Sequence, residues 1–558
     1  MVAVAALFLG FCAWLFWLFL QSQAYLLPAP ADPAPPAGAS VAAPIQCLSY
    51  APFRRPGKAP WLEEKVVSQA QIEEDLRLLR PLTGCVRTYG VDMGLDQVPA
   101  AARAVGMQVM LGVWIGRDEV GNRQQLDKGL ALAREYPDVV KLLVVGNEVL
   151  LRREQSPEGL ARWLAEAKAA SPVPVAYADV WEFWQRHANV LRPHVNVVAA
   201  HILPYWEDDP VAIEDAIDHV HDIAAQLDEF FAPLPVLIAE TGWPAAGRQR
   251  GAAVPGEAEQ IRFVRELLAR PLPRYNLIEA FDQPWKRRLE GAMGGYWGML
   301  TSDGELRVKL DGPTPPDPRV PGLLWATAGG LALGAVLGAA LGALPGALLA
   351  ALAGGVVGPL ALLQWQMLQT WSRTPTEWIL GGLYGALALA TALLALAVLA
   401  ARYAGKVRRP LAPTTDVALA MTQLVLLFAT TWLALGLVFD ARYRPLVWPM
   451  LMAPVFLLLL LSYVQRRSGA GPATPAHPLQ RWATQARWLA GICLLAAPLV
   501  VLQETLHNGQ AWVASVLWVG LGVATWRQVR DAVRWAAAGG DTQTQPASNT
   551  ASAPRSVE

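Results

Sequence analysis

Cysteine is scarce in this chain: 4 residues in 558, with no CxxC pair, and the 7 histidines show no metal-site spacing. Zinc ribbons, zinc fingers and dithiol redox motifs are therefore excluded, and the spacing calls for no metal, nucleotide or redox cofactor. No Gly-rich phosphate turn follows the first apolar run, which excludes a dinucleotide-binding open sheet. A basic surplus is also missing from residues 1–320, which hold 31 Lys/Arg against 39 Asp/Glu. Nucleic acid is excluded as a partner there, because binding phosphate requires a basic surface. From residue 321 onward the balance reverses to 15 Lys/Arg against 7 Asp/Glu, and acidic side chains almost vanish. The formal charge of zero is the sum of two halves of opposite sign.

Long apolar runs fill the second half. Seven candidate spans lie within 321–535, near 322–342, 346–368, 378–401, 416–438, 446–464, 487–503 and 510–526, each long enough to cross a bilayer. Val2–Leu20 is a further uncharged apolar run. It lacks the basic n-region of a secretory signal, so residues 1–24 read as an uncleaved signal anchor despite the small-residue Ser22-Gln23-Ala24. Residues 25–44 read as a Pro/Ala-rich tether and residues 536–558 as a disordered cytoplasmic tail. Arg402, Lys406, Arg408, Arg409, Arg466, Arg467 and Arg481 crowd the loops of one side, with Arg527, Arg530 and Arg534 beyond the last span. The opposite loops carry only Arg373, Arg442 and Arg444. The positive-inside rule puts the basic set in the cytoplasm and residues 25–320 outside it. Glycines at 330, 334, 338, 342 and 346 fall on one helix face and predict close helix packing. Gln364, Gln366 and Gln423 are the most polar intramembrane positions.

Between tether and spans, residues 45–315 alternate short apolar runs with helical stretches. The runs are 45–51, 85–90, 108–116, 141–148, 174–180, 195–203, 235–240 and 276–282. Residues 66–80 carry helical spacing with a capping box at Ser68 and Gln71, and Ser156-Pro157 reads as an N-cap followed by proline at the first helical position. Eight such units over about 270 residues predict a parallel (β/α)8 barrel, followed by an all-α transmembrane bundle. Cys47 and Cys85 fall on the first two strands and read as buried small hydrophobes, with a disulfide as the alternative.

Glu148 closes the fourth run (LLVVGNEVLLR) and Glu240 the seventh (PVLIAETGWP). Strand-end residues of a barrel share one mouth, so the two carboxylates are expected to face each other there. Such a pair is the minimum equipment for cleaving a glycosidic bond, and a neutral polysaccharide meets no charge objection. GNE at 146–148, AETGWP at 239–244 and EAFDQPWK at 279–286 resemble glycoside hydrolase family 17, the β-1,3-glucanase and glucanosyltransferase group. The resemblance covers residues 45–310. It implies a retaining enzyme with Glu148 as acid/base and Glu240 as nucleophile. It also implies Asp282 and Lys286 as the strand-eight acidic residue and lysine, and Glu290 as a further acid of the site. The pairing of this domain with membrane spans is similar to bacterial membrane proteins tied to β-(1,6)- or cyclic β-glucan synthesis. That similarity implies a bacterial inner membrane with the barrel on the periplasmic side, and a glucan synthase as a partner.

Asn147 is expected to donate to a sugar hydroxyl. Tyr89, Trp114, Tyr177, Tyr205, Trp206, Trp243 and Trp285 sit at or just past strand ends, where rings stack on sugars or pack the core. Lys286 is expected to steady a carboxylate or hydroxyl, and Asp179 to orient a hydroxyl or cap locally. His201 reads as a barrel-interior histidine rather than a base. The expected substrate is β-glucan, cleaved or transferred. A non-catalytic glucan-binding or export component is the competing reading, because seven spans exceed what an anchor requires.

Overall fold

The computed structural model describes residues 10, 13, 44–55, 57–62, 66–312, 319–340, 344–404, 413–468 and 477–540. The expected anchor, the tether and residues 541–558 of the tail lie, but for Gly10, Ala13 and Pro44, outside the described residues. The chain divides into two units.

The first is a barrel. Strands β1 (Leu48–Ser49), β2 (Cys85–Arg87), β3 (Gln108–Val113), β4 (Val140–Asn147), β5 (Val175–Val180), β6 (Val197–His201), β7 (Val236–Thr241) and β8 (Tyr275–Leu277) close in sequence order. All neighbouring pairs are parallel, β8 returning to β1. Each strand falls on one of the eight expected runs. Local signals start the helices as anticipated: Ser68 accepts from Gln71 N ahead of Gln69–Leu79, and Ser156 accepts from Gly159 N ahead of Pro157–Ala170.

Period-two alternation sorts the strand residues into two cores. Leu142, Val144, Ala176, Ala178, Ala199, Leu237 and Ala239 fill the barrel interior. Leu143, Val145, Val175, Tyr177, Val198, Ala200, Val236 and Ile238 belong to the larger core between strands and helices. Four of the seven interior residues are alanine, which leaves room above them for polar side chains. Cys47 and Cys85 form a disulfide. The expectation of two buried thiols is corrected: parallel pairing of β1 with β2 brings their backbones within reach.

The second unit is helical. Helices Arg319–Ala340, Leu344–Trp371, Pro375–Ala404, Pro413–Phe439, Met452–Ser468, Ala483–Gln503 and Gly509–Gly540 fall on the seven expected spans. Among the described residues, five stretches are long and apolar enough to cross a membrane: Ala350–Trp371, Pro375–Leu399, Thr414–Phe439, Pro449–Arg466 and Ala483–Gln503. Arg319–Ala340 and Gly509–Gly540 fall outside that set. Gly509–Gly540 also runs through Arg527, Arg530 and Arg534 into the segment read as tail. A Cβ on Gly330 would lie 2.1 Å from the Gly354 carbonyl oxygen, and one on Gly334 equally close to that of Ala350. Helices Arg319–Ala340 and Leu344–Trp371 thus pack backbone against backbone along the glycine stripe. Gln423 is buried and donates to Thr525 Oγ1 at 2.9 Å.

Candidate active site

Two breaks in strand regularity build the barrel mouth. In β4, Leu142 and Val144 face inward, so strict alternation would turn Asn147 outward. The β4–β5 register shifts between Val144 and Asn147, and Gly146 takes a φ of +84°. A Cβ there would meet Val149 Cγ2 at 2.8 Å. Glu148 follows with a φ of +51° and donates its N–H to Ala178 O at 2.7 Å. In β7, Leu237 and Ala239 face inward, yet so does Glu240, because the register shifts on both sides of it. Bulges of this kind re-aim side chains beside active sites.

Glu240 is buried. Its Oε1 accepts from Arg87 Nη1 at 2.7 Å and from Tyr89 Oη at 2.9 Å. Arg87, fully buried inside β2, also donates to Ala239 O at 3.0 Å and to Asn147 Oδ1 at 2.5 Å. His201, at the inward end of β6, lies between the two glutamates. Its Nδ1 is 3.1 Å from Glu148 Oε1 and its Nε2 is 3.7 Å from Glu240 Oε1. One side-chain atom each from Glu148, His201 and Glu240 lies within 4.8 Å of the others. Burial pushes the Glu240 carboxyl up, but His201, Arg87, Lys286 and the Tyr89 hydrogen bond outweigh it and hold the group below its ordinary range. Burial, then the Glu240 charge, drives the Tyr89 phenol far upward, so it stays a donor.

A second acidic cluster flanks the first. Lys286 donates to both oxygens of Glu279, at 3.0 and 2.9 Å. Burial pushes Glu279 up to about 8 and Glu290 up to about 7, in each case against the opposing pull of Lys286. Glu290 feels the charges of Glu148 and Glu240, so it faces the same site. The carboxylate that Lys286 steadies is therefore Glu279. Asp282 is held by Arg307 and by Gly298 N, and is turned to the segment after β8.

Three predicted sugar-stacking rings are placed in the core instead. Tyr177 points outward from β5 against Trp184, its hydroxyl donating to Asp179. Tyr205 is fully buried against Trp243 and Trp297 and donates to Arg248 O. Trp243 packs on Phe263 and donates to Val254 O. For Tyr177 the cause is strand phase, since one residue of slip exchanges mouth for core, whereas Tyr205 and Trp243 lie beyond the ends of β6 and β7 and turn back into the core. Asp179 accepts from Leu150 N at 3.2 Å and so fixes the segment just after Glu148. Its carboxyl is pushed up to about 6, chiefly by burial. Trp114, 38% exposed with Arg152 stacked on it, and half-buried Trp285 remain accessible.

Sequence reasoning missed Arg87, the bridging position of His201, and Glu279. An arginine and a histidine within apolar strands were the available signals, because a buried charge requires a partner. Glu148, His201 and Glu240 are the one group of metal-capable side chains among the described residues. The donor set does not favour a cation, since the Glu240 oxygen nearest His201 already accepts from the Arg87 guanidinium.

Residues 47–298 match the family model of the BtgE/BtgC glycoside hydrolase domain, within the stretch that carries the three motifs. A probable beta-glucosidase btgE of Aspergillus fumigatus is 29% identical over 221 residues, 38% of this chain and 39% of that protein. A glucan 1,3-beta-glucosidase of Arthroderma benhamiae is 28% identical over 267 residues, 44% of this chain and 85% of that protein. The chain thus spans about two-fifths of the length of the btgE relative. The glycoside hydrolase family 17 β-1,3-glucanosyltransferase of Rhizomucor miehei is 25% identical, covering 48% of this chain and 98% of that one, with a TM-score of 0.41. An active-site mutant of that transferase, in complex with laminaritriose, gives 25% and 0.42.

Proposed function

We propose that this chain is a membrane-anchored, retaining β-glucan-active enzyme. It cleaves β-1,3-glucan through a glycosyl-enzyme intermediate and passes the glycosyl unit to another sugar or to water. The observation that carries the reading is the carboxylate pair: Glu148 and Glu240 oxygens within 4.8 Å, one of them buried against an arginine. Retaining glycosidases hold their carboxyl groups about 5–5.5 Å apart, whereas inverting ones leave about 6.5–9.5 Å for a water.

The steps follow from which atoms are committed. Glu240 Oε1 is occupied by Arg87 and Tyr89, so Oε2 is the oxygen that bonds to the anomeric carbon. Arg87 keeps this nucleophile ionised. Glu148, half-buried and beside His201, gives its proton to the departing glycosidic oxygen and then takes one from the incoming hydroxyl. Asn147 Oδ1 is held by Arg87, which leaves its amide N–H groups to donate to a hydroxyl beside the reacting carbon. Lys286 is held by both oxygens of Glu279, and its charge helps to keep Glu240 ionised.

The Cys47–Cys85 disulfide supports an oxidising compartment for the barrel. Together with the basic loops and five apolar helices it favours a barrel outside the cytoplasm, acting on periplasmic or exported glucan. We lean to transfer over hydrolysis. Incubation of the purified protein with laminari-oligosaccharides is expected to yield products longer than the substrate; products only shorter would rule out transfer, and no turnover would refute the enzymatic reading.

A further inference from the structure

A file of aromatic and cationic groups leads away from the carboxylate pair toward the β1 side of the mouth. Tyr89 donates to Glu240, and Lys286 Nζ lies 5.9 Å from the Tyr89 ring and equally far from the Trp285 ring. Trp285 meets Trp61 edge-on at 5.4 Å between ring centroids. Trp61 comes from the segment after β1 and is 43% exposed, although tryptophan is a costly side chain to leave in water. Arg288 sits 6.0 Å from the Trp61 ring and makes no hydrogen bond or ion pair among the described residues.

The stretch that leads from β1 toward Trp61 is anchored over residues 50–54. Arg54 donates to Asp75 at 2.8 Å and to Ser302 O at 2.8 Å, and Tyr50 donates to the other Asp75 oxygen. Gln71 holds Pro52 O at 2.8 Å, and Phe53 packs edge-on against Trp285. The backbone turns back through Lys58 N to Arg55 O and Leu62 N to Ala59 O. An exposed indole already held by ring contacts to Trp285 and Arg288 has less ordering left to offset the gain on binding.

We propose that Trp61, with Arg288 beside it, is a distal glucosyl subsite that holds a β-glucan chain beyond the reacting ring and so sets chain-length preference. The indole face turned away from Arg288 offers an apolar platform for pyranose C–H groups, and the guanidinium over the other face offers N–H donors for ring hydroxyls. The inference rests on the β-glucan reading of the site, and the two are separable because the subsite is tested by binding and the chemistry by turnover.

The experiment is calorimetric titration of the full-length, detergent-solubilised Glu240→Gln protein with laminaritriose and laminarihexaose, with and without Trp61→Ala. A loss of one stacking contact corresponds to roughly a tenfold change in Kd. Trp61→Ala is expected to weaken hexaose binding about tenfold, leave triose unchanged, and be rescued by Trp61→Phe, with the thermal unfolding midpoint unaltered. Equal weakening of both oligosaccharides, or of neither, would overturn the proposal. So would loss that the phenylalanine fails to restore. Binding of neither sugar by the parent protein would refute the glucan reading itself.

Discussion

Each glutamate of the pair is given its chemistry by its neighbours. Glu240 accepts from Arg87 and Tyr89 with His201 beside it, and the charges of His201, Arg87 and Lys286 hold it ionised, whereas Glu148 is more open and has His201 as its hydrogen-bond partner. Glu240→Gln is expected to reduce turnover on laminari-oligosaccharides by at least about 10³-fold, measured by product chromatography. Glu148→Gln should cost roughly 10²–10⁴-fold on the same substrates, and much less on an activated aryl glucoside whose leaving group needs no proton. His201 and then Arg87 oppose burial most strongly in holding the Glu240 carboxyl low. A carboxyl held below its unfolded value stabilises the fold above that value, and the contribution disappears as pH falls through the folded one. Arg87→Met removes a source of the depression, so the acid limb of kcat/KM should move up toward the ordinary carboxylate range, at about 4.3. An unmoved limb would show that Arg87 does not set it. Gly146 is the backbone counterpart. Gly146→Ala combines positive φ with a contact to Val149 and should cost about 1–3 kcal/mol, read as a lower unfolding midpoint.

At the level of strands and helices, most of the barrel was legible. All eight strands are apolar runs, and Ser68 and Ser156 start their helices as the capping pattern requires. What sequence could not supply is the phase at the strand ends. The β4 and β7 bulges turn Asn147 and Glu240 inward, while no bulge rescues Tyr177, which stays on the outward face of β5. Exposed and buried aromatics look alike in sequence, so Tyr205 and Trp243 were read as mouth residues and Trp61 was passed over. The resemblance places the strand-eight acidic residue at Asp282 and leaves open which carboxylate Lys286 steadies. The helical register after β8 brings Lys286 back over Glu279. The disulfide joins β1 to β2 across a sequence separation of 38. Closing a loop of that size stabilises by about 3–4 kcal/mol. Cys47→Ser with Cys85→Ser should therefore lower the unfolding midpoint, and reductant should then have no further effect.

For the molecule as a whole, an acidic barrel unit is joined to a basic helical one, and the spread of Lys/Arg predicts how the helices are threaded. Cysteine labelling by a membrane-impermeant maleimide in spheroplasts is expected to modify a cysteine introduced at Arg103, on the exposed barrel face, and to spare one introduced at Arg408. The reverse pattern would invert the topology. The retaining chemistry is tested most directly by mass spectrometry after reaction with a 2-fluoro β-glucosyl oligomer bearing an activated leaving group. The full-length protein should gain the mass of one fluoroglycosyl chain, mapped to a peptide containing Glu240 and absent from Glu240→Gln. An adduct on another residue, or turnover with no adduct and inverted anomeric configuration in the product, would contradict it.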